Sequence, residues 1–329
     1  MSRLRIASFN LESLDDRPDL VPRLEERIAV LQPQLRYLAA DILCLQEVNA
    51  QPDGPHRPRR LTALERLLAG TAYAGYARVV SGSADHGGLV DHHNLVLLSR
   101  FPITASRAVQ HELVPPLDYH AQTALPPSAE PLVLRWDRPI LYAAVELPSA
   151  RRLHLLNLHL KAPLAVPIPG QKASAAEWRS SRGWAEGFFL AAMKRAGQAL
   201  EARLLIEALF DAEPEALVAA AGDLNSDHNE TPIRILVGDG TDPESEAPAA
   251  RRLVALDQCI PAERRYSILH SGRPAMLDHI LVSPALAALP HRIEVLNEGL
   301  HDEALDPATG HPSAGSYHAP LVAEFTLAG

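Results

Sequence analysis

The chain has 329 residues, of which 47% are hydrophobic and 22% are charged, with a mean hydropathy of −0.06. This composition is typical of a soluble globular protein, and no segment offers the roughly 20 apolar residues that a membrane helix needs. The chain starts on a strand pattern instead of a signal region, and two cysteines cannot form a disulfide framework, so we expect a cytoplasmic protein. The net charge of −9 argues against indiscriminate nucleic-acid binding but not against a local basic site.

The predicted elements mix strands and helices along the chain. Residues 5–10 are predicted to form the first strand. Apolar residues spaced by three and four over 20–38 predict a helix that Pro33 should kink or divide. The apolar run 41–48 predicts a strand buried on both faces, and 61–68 predicts a short helix. Further strands are predicted at 94–99, 140–147, 153–160, 217–221, 276–283 and 321–325, with a long helix over about 176–210.

These elements predict one domain over residues 1–329, with a helical, basic insertion at about 161–210. The acidic stretch 238–246 is the segment that we expect to be a mobile surface loop. The sequence contains no Gly-x-Ser-x-Gly, no P-loop and no His-Glu-x-x-His motif, which argues against the chemistries that depend on them.

Polar residues recur where the predicted strands end, and strand ends on a rigid sheet often carry active sites. They are Asn10, Glu47, Asn157 with His159, Asp223 with Asn225, Asp278, and His318. An ionised Glu47 at the end of a buried strand is costly unless it binds a metal or pairs with an arginine, and both interpretations stay open. Asn10 alone could equally cap a turn.

The strand at 153–160 predicts which of its polar residues share a face. Its period of two puts Asn157 and His159 on one face and His154 on the other. A lone strand histidine is more often structural, but the adjacent Lys161 makes this strand end cationic, so His159 is the better site candidate.

The segment around Asp223 follows a small apolar strand. It does not satisfy the pattern of a calcium loop, because His228 and Arg234 stand where glycine and glutamate are required. We expect Gly222 to let the backbone turn sharply, so that Asp223 and Asn225 present a carboxylate and an amide side by side. Such a pair suits a phosphate and its attacking water.

Asp278 and His318 are far apart in sequence but could form a pair. A carboxylate on one imidazole nitrogen fixes the tautomer and raises the basicity of a general base. The run Asp91-His92-His93 is another possible contributor, although a polar loop before a strand is the favoured interpretation.

The segment 161–203 carries seven basic residues against three acidic ones in an acidic chain. It is either a solvated helix face or a cationic wall for an anionic substrate, to which Lys161 and Arg182 would belong.

Seven motifs in this order carry a resemblance to a known family. They are Ile-Ala-Ser-Phe-Asn at 6–10, Leu-Gln-Glu-Val at 45–48, Leu-Leu-Ser-Arg-Phe-Pro-Ile at 97–103, Asn-Leu-His-Leu at 157–160, Gly-Asp-Leu-Asn-Ser at 222–226, Leu-Asp-His-Ile at 277–280 and His-Ala-Pro at 318–320. The chain resembles a bacterial-type member of the endonuclease/exonuclease/phosphatase superfamily, which includes pancreatic-type deoxyribonucleases, abasic-site endonucleases, bacterial sphingomyelinases and inositol-polyphosphate phosphatases.

The resemblance implies an α+β fold of the deoxyribonuclease-I type, a four-layer sandwich of two mostly antiparallel sheets flanked by helices. It also implies that Glu47, supported by Asn10, binds Mg²⁺ or Mn²⁺, with Ca²⁺ as an alternative. Asp223 and Asn225 would align water and phosphate, and His159 would bind a phosphate oxygen or assist the leaving group. Asp278 would orient His318, which acts as the base or stabilises the transition state. Substrate contacts are expected from Asn157, Lys161 and Arg182.

One position departs from the family pattern. The last motif is typically Ser-Asp-His, and its aspartate often reaches the metal, whereas this chain has Tyr317 there. A phenol is a poor Mg²⁺ ligand, because its pKa is about 10. Either metal binding is weaker, or activity is reduced, or a neighbouring carboxylate compensates, the candidates being Asp302, Glu303 and Asp306.

We therefore expect a divalent-metal phosphohydrolase that cleaves phosphodiester or phosphomonoester bonds by in-line attack of water. The acidic net charge favours a small or lipid-like phosphoester over nucleic acid, and a monomer is expected. One alternative is a DNA or RNA nuclease of the same fold, because binding a phosphate backbone needs only a local basic face. The other is a catalytically weakened protein that binds a phosphate ligand, which Tyr317 suggests.

Overall fold

The computed structural model of the chain describes residues 2–54, 58–82, 88–148, 150–238, 249–308, 310 and 312–327. Apart from Gly238, the acidic stretch predicted to be a mobile loop lies outside these residues. Within them, the strands are β1 Ser2–Leu14, β2 Ile42–Val48, β3 Ala77–Val80, β4 Asn94–Ser99, β5 Ile103–Val109, β6 Leu117–Tyr119, β7 Leu132–Leu134, β8 Ile140–Glu146, β9 Arg152–His159, β10 Leu217–Asp223, β11 Val254–Ala255, β12 Ile268–His270, β13 Arg273–Ala275, β14 Asp278–Val282, β15 His291–Val295 and β16 Leu321–Leu327.

The helices flank these strands in chain order. They are α1 Leu24–Leu38, α2 Thr62–Leu68, α3 Ser181–Ala212, α4 Thr231–Val237, α5 Pro284–Ala287 and α6 Leu305–Ala308, with short 3₁₀ segments at Ala72–Gly75, Ala249–Arg251, Leu256–Cys259 and Ala262–Arg264. In the described part of the chain, no helix combines the length and the apolar character that crossing a membrane requires.

Two of the predicted helices differ from the structure, α1 at its proline and α3 at its first residue. α1 is one continuous helix with Pro33 inside it, so of the two predicted alternatives, a kink or a division, the division is wrong. Leu31, Leu35 and Leu38 keep one buried stripe across the proline. α3 begins at Ser181 instead of about 176, because the Ser180 side chain accepts a hydrogen bond from Gly183 N and caps the helix there.

The strands form two large sheets, each of six strands among the described residues. One has the order β15-β16-β1-β2-β4-β3 and the other β11-β14-β10-β9-β8-β5. β1 runs parallel to β2 and β9 runs parallel to β10, whereas the remaining neighbours in both sheets are antiparallel. The predicted sandwich of two mostly antiparallel sheets with flanking helices is confirmed.

The period of two along each strand separates the layers. On β1, Leu4 and Ile6 face the core between the two sheets, whereas Ala7 and Phe9 face the core shared with α1 and α2. On β9, Leu155 likewise points between the sheets. The opposite face of that second sheet packs on α3 and α4. Burying each such leucine side chain stabilises the fold by about 1.5–3 kcal/mol, and the alternation carries polar residues at strand ends into the gap between the sheets.

Candidate active site

The two sheets bring their polar strand ends together at one edge. Asn10 at β1 donates from Nδ2 to Asp223 Oδ2 at the end of β10, at 3.0 Å, across the two sheets. His159 on β9 and Asp278 on β14 are both paired in register with Asp223. The site therefore assembles from strand ends that are far apart in sequence.

Unusual backbone conformations surround this edge. Positive φ angles occur at the non-glycine residues Glu12, Ser13, Glu47, His93 and Asn225. The pairing of β2 with β4 is interrupted between Leu45 and Val48, so that Glu47 leaves the alternation of the strand and its side chain is aimed at the site. Such strained residues persist where the surrounding structure fixes them, commonly at functional sites.

Glycine at position 222 allows a close approach between strands and a φ of 150°, which other residues rarely adopt, and does not form a sharp turn. Gly222 lies within β10, and a Cβ on it would come within 1.9 Å of Leu158 O on the adjacent strand. The turn instead follows at Asn225, whose φ is 47°. The prediction that Gly222 provides the turn is therefore wrong, although Asp223 and Asn225 do lie side by side.

Glu47 is held by several hydrogen-bond donors. Its Oε2 accepts from Ser13 N at 2.9 Å and from Ser13 Oγ at 3.1 Å, and its Oε1 accepts from Asn10 Nδ2 at 3.3 Å. Burial by itself raises the pKa of Glu47, but the basic groups around it outweigh burial and lower it. Glu47 is therefore an ionised carboxylate in a fixed orientation.

Asp223 is a buried carboxylate at this edge. Its Oδ1 accepts from Asn225 N at 2.9 Å, and its Oδ2 accepts from Asn225 Nδ2 at 3.2 Å. Burial raises the pKa of Asp223 to about 7, against the opposing charge of His318. Asn225 also donates to Leu160 O at 3.0 Å, so it fixes Asp223 relative to the end of β9.

Asp278 and His318, which the sequence could not place together, form a short hydrogen bond. His318 Nδ1 lies 2.7 Å from Asp278 Oδ2, and its Nε2 lies 3.9 Å from Asp223 Oδ2. Burial would lower the pKa of His318, but the two carboxylates raise it well above the usual value. The imidazolium form is therefore favoured at neutral pH.

His159 differs from His318 in its protonation. Its Nε2 lies 3.4 Å from Asp223 Oδ2 and 3.6 Å from Glu47 Oε1, whereas Nδ1 is buried without a hydrogen-bond partner among the described residues. Burial, reinforced by the charge of Arg138, lowers the pKa of His159 well below its usual value. His159 is accordingly a neutral imidazole beside two carboxylates.

The donor set at this edge suits a divalent cation. Glu47, His159 and Asp223 each place a ligand atom within 4.8 Å of the others. Two buried carboxylates this close repel each other, and hard cations such as Mg²⁺ prefer their oxygen atoms. Asn10 was predicted as a second ligand, but its Oδ1 accepts from Glu12 N at 2.9 Å and its Nδ2 faces the carboxylates. In this arrangement Asn10 bridges the two carboxylates, and the oxygen atoms available to a cation are those of Glu47 and Asp223.

A directed chain of hydrogen bonds, which the sequence interpretation missed, supports Glu47. Arg138 Nη2 donates to His93 Nδ1 at 2.7 Å, so the ring proton of neutral His93 is on Nε2. That nitrogen lies 3.0 Å from Ser13 Oγ, which in turn donates to Glu47. The favoured interpretation of 91–93 as only a polar loop is therefore wrong for His93, and the polar residues next to strand 94–99 were the available signal.

The three predicted substrate-binding residues, Asn157, Lys161 and Arg182, differ in their distance from the site and in their burial. Asn157 is fully buried and bonds Gln46, Leu45 O and Val96 O between the sheets. Because its amide is used up inside the core, it is a structural residue, and the predicted substrate contact is not possible in this arrangement.

Lys161 and Arg182 lie outside the innermost site. Lys161 lies at the edge of the site, where its Nζ is 3.2 Å from Asp137 Oδ2. Arg182 is exposed in the first turn of α3, about 20 Å along the helix axis from Arg195, which binds Lys161 O. Arg182 could reach only an extended substrate.

Tyr317 does not point a ligand into the site. Its hydroxyl accepts from Ser313 N at 2.9 Å. Among the carboxylates expected to compensate, Asp302 accepts backbone hydrogen bonds, chiefly from Gly272 N, which lower its pKa to about 2.

The other two predicted compensating carboxylates are also engaged. Glu303 Oε1 lies 2.6 Å from His270 Nδ1, and Asp306 Oδ2 lies 2.5 Å from His301 Nδ1. Glu12, which the sequence interpretation did not consider, is half-buried and interacts electrostatically with Glu47 and His318. Burial raises the pKa of Glu12. It is therefore a further carboxylate next to the site.

Comparison with known proteins identifies the class to which this fold and site belong. The family model described as "Endonuclease/Exonuclease/phosphatase family" matches residues 7–318. The chain therefore belongs to the endonuclease/exonuclease/phosphatase family, as the resemblance predicted. No curated protein matches the sequence.

Solved structures share the fold at low sequence identity. An endonuclease/exonuclease/phosphatase from Bacteroides vulgatus is 14% identical over 100% of both chains, with a TM-score of 0.57. Truncated TDP2 from Caenorhabditis elegans is 16% identical over 99% of this chain and 98% of its own, with a TM-score of 0.56. D. rerio TDP2 complexed with a single-strand DNA product is 17% identical over 99% of this chain and 100% of its own, with a TM-score of 0.55.

Proposed function

We propose that the protein is a divalent-metal-dependent phosphohydrolase that cleaves phosphodiester or phosphomonoester bonds by in-line attack of water. The observation that supports this most is the convergence of Glu47, Asp223 and the Asp278–His318 pair at one edge of the two sheets. Membership of the endonuclease/exonuclease/phosphatase family supports the same general chemistry.

Glu47 and Asp223 would hold the cation, with His159 beside them. Bound Mg²⁺ or Mn²⁺ supplies Lewis-acid stabilisation of the charge that develops on the phosphoryl oxygens. Asn10 keeps the two carboxylates in place through its amide, and Ser13 fixes the orientation of Glu47. These contacts exist before substrate binds, so little reorganisation is needed during the reaction.

The histidines take different roles because their protonation differs. His318, held as an imidazolium by Asp278, donates a hydrogen bond from Nε2 to a phosphoryl oxygen and so stabilises the transition state. Of the two roles expected for His318, this protonation supports stabilisation of the transition state over that of the base. Neutral His159 binds a phosphate oxygen through Nε2, or assists the leaving group.

Asp223 would align the attacking water with the phosphate while it holds the cation. Hydrogen bonds from Asn10 and Asn225 fix its carboxylate oxygens. Asn225 orients this carboxylate through two hydrogen bonds. We assign to Asn225 the positioning of Asp223, and to Asp223 the alignment of water and phosphate.

The preferred substrate class is a small or lipid-like phosphoester. The net charge of −9 disfavours a long polyanion, and most basic residues of segment 161–203 have partners within the protein; for example, Lys161 and Lys194 share Asp137. A nuclease is the second candidate, favoured by the likeness to a TDP2 structure that contains a single-strand DNA product.

The test is hydrolysis of bis(p-nitrophenyl) phosphate and p-nitrophenyl phosphate with Mg²⁺, Mn²⁺ or EDTA. We expect turnover that requires the metal and falls by about 100-fold or more in His318→Ala. The ratio between the substrates distinguishes a diesterase from a monoesterase. Plasmid nicking whose affinity falls steeply with salt would favour the nuclease instead. Ligand binding without turnover at saturating Mn²⁺ would contradict the proposal.

A further inference from the structure

A separate cavity of about 240 Å³ lies beside the candidate active site. Its wall includes His93 and Arg138, the two residues whose hydrogen bonds lead to Glu47. Arg135 and Gln110 also line it, with Trp136 beside them. The cavity is therefore separated from the Glu47 carboxylate by one imidazole ring, since His93 Nε2 lies 3.5 Å from Glu47 Oε2.

One wall of this cavity is held in place by packing and hydrogen bonds. Trp136 donates from Nε1 to Glu201 at 2.7 Å, and its backbone N donates to His111 Nε2 at 3.0 Å. The rings of Trp136 and His111 pack with their centroids 4.4 Å apart. These contacts fix the position of Trp136 in that wall, as a preformed binding site requires.

The charge of the cavity is positive although the chain is acidic. Among the described lining residues, the acidic and basic groups other than histidines are Arg135, Arg138 and one carboxylate, Asp137, which is paired with Lys161 at 3.2 Å and with Lys194 at 2.6 Å. In this part of the chain, the lining therefore carries more positive than negative charge. An anionic ligand group is favoured over a neutral or cationic one.

Arg138 has hydrogen-bonding capacity left for such a ligand. A guanidinium has five N–H donors. Among the described residues, Arg138 uses them only toward His93 Nδ1 at 2.7 Å and Leu160 O at 3.5 Å. Arg135 is exposed and makes no hydrogen bond or ion pair to another described residue. Both guanidinium groups can form bidentate hydrogen bonds with a phosphate or carboxylate.

We propose that this cavity is a subsite for a second anionic group, a phosphate or carboxylate, carried by the same substrate whose phosphoester reacts at Glu47 and Asp223. The proposal rests on the proposed function for the reacting group and adds a requirement on the substrate: two anionic groups joined by a short spacer. Arg135 and Arg138 recognise the second group, and His93 connects its binding to the orientation of Glu47.

The test compares the binding of two nucleotides that differ only by one phosphate. Thymidine 3′,5′-bisphosphate and thymidine 5′-monophosphate are titrated calorimetrically into the protein with Mn²⁺. We expect the wild type to bind the bisphosphate about tenfold more tightly or better, and Arg135→Gln to lose most of that preference. Arg152→Gln, an exposed arginine at the opposite end of β9 from His159, is the matched control and should retain the preference.

Each outcome bears on the proposal. Equal affinity of the wild type for the two nucleotides, failure to bind either, or a preference that Arg135→Gln retains in full would overturn it. Hydrolysis of bis(p-nitrophenyl) phosphate is measured on the same samples. A preference that depends on Arg135 without any hydrolysis supports the anionic subsite and contradicts the phosphohydrolase, so the failures of the two proposals are distinguishable.

Discussion

His318 is the residue at which protonation decides the chemistry. Asp278 and Asp223 raise its pKa, so the imidazolium persists until the pH rises through that raised value. If the imidazolium stabilises the transition state, activity is present below this pKa and is lost above it. Asp278→Asn removes the bonded carboxylate and lowers the pKa of His318, and we expect the alkaline limb of the pH–rate profile to move down by about one pH unit or more.

The measurement is kcat/KM for bis(p-nitrophenyl) phosphate against pH for the wild type and Asp278→Asn. Asp211→Asn, at an exposed ion pair with Arg251, is the control and should leave the profile in place. Movement of the acid limb, with the alkaline limb unchanged, would show that His318 acts as the base.

Substitutions at Glu12 and Tyr317 test which of the two residues serves the cation in place of the aspartate that is typical of the family's last motif. Glu12 is a half-buried carboxylate that interacts with Glu47, whereas the Tyr317 hydroxyl is bound to Ser313 N. We expect Glu12→Gln to raise the Mn²⁺ concentration for half-maximal activity roughly tenfold, because one negative charge near the cation is lost. Tyr317→Phe should leave that concentration within about twofold. A Mn²⁺ titration measures both variants. A larger increase of this concentration in Tyr317→Phe than in Glu12→Gln would mean that the phenol, and not Glu12, serves the cation.

At the scale of the elements, a buried ion pair fixes the loop after β10. His279 on β14 places Nδ1 3.1 Å from Asp257 Oδ1 and Nε2 2.9 Å from Ser226 O. Both partners are acceptors, so both ring nitrogens carry protons. This charged pair connects β14 to the turn that presents Asp223 and Asn225.

Removing one partner of this pair should destabilise the fold in a pH-dependent way. Burial would lower the pKa of His279, but Asp257 raises it. The stabilisation by His279 is therefore complete below the ordinary imidazole pKa and is lost as the pH rises through the raised one. The pKa of Asp257 is lowered by His279 in spite of burial, so its stabilisation is lost only as the pH falls through that low value.

We expect Asp257→Asn to lower the free energy of unfolding by about 3–5 kcal/mol near pH 6, and by less as the pH rises above the pKa of His279. Urea unfolding at pH 6 and at higher pH measures this. Asp211→Asn again serves as the exposed control, with a cost of about 1 kcal/mol or less. A cost independent of pH would show that His279 is not charged in the folded protein.

The strands show where sequence-based prediction holds and where it fails. On β9 the period of two places His159 in the site and His154 on the other face, where it bonds Tyr142 Oη at 2.8 Å. The same alternation would put Glu47 on the outer face with Leu43 and Leu45. Only the irregular pairing of β2 and the positive φ of Glu47 aim it at the site, and neither follows from residue types.

For the whole molecule, the order of motifs along the chain predicted the fold, because those motifs lie at strand ends that the two sheets bring to one edge. The partners around them were not predictable, since they depend on distances across the sheets. Asn157, which shares a face with His159, is used inside the core, whereas Arg138 reaches Glu47 through His93 and Ser13. Neither Arg138 nor Ser13 lies in a motif that pointed to the site.

The central claim is that Glu47 makes phosphoester hydrolysis dependent on a divalent cation. The most direct measurement is the hydrolysis of bis(p-nitrophenyl) phosphate across a Mn²⁺ titration, for the wild type, Glu47→Gln and Glu146→Gln, an exposed glutamate at the end of β8. We predict turnover that EDTA abolishes, a loss of at least about 100-fold in Glu47→Gln, and wild-type behaviour in Glu146→Gln. Turnover that persists in EDTA, or that survives Glu47→Gln, would contradict the account.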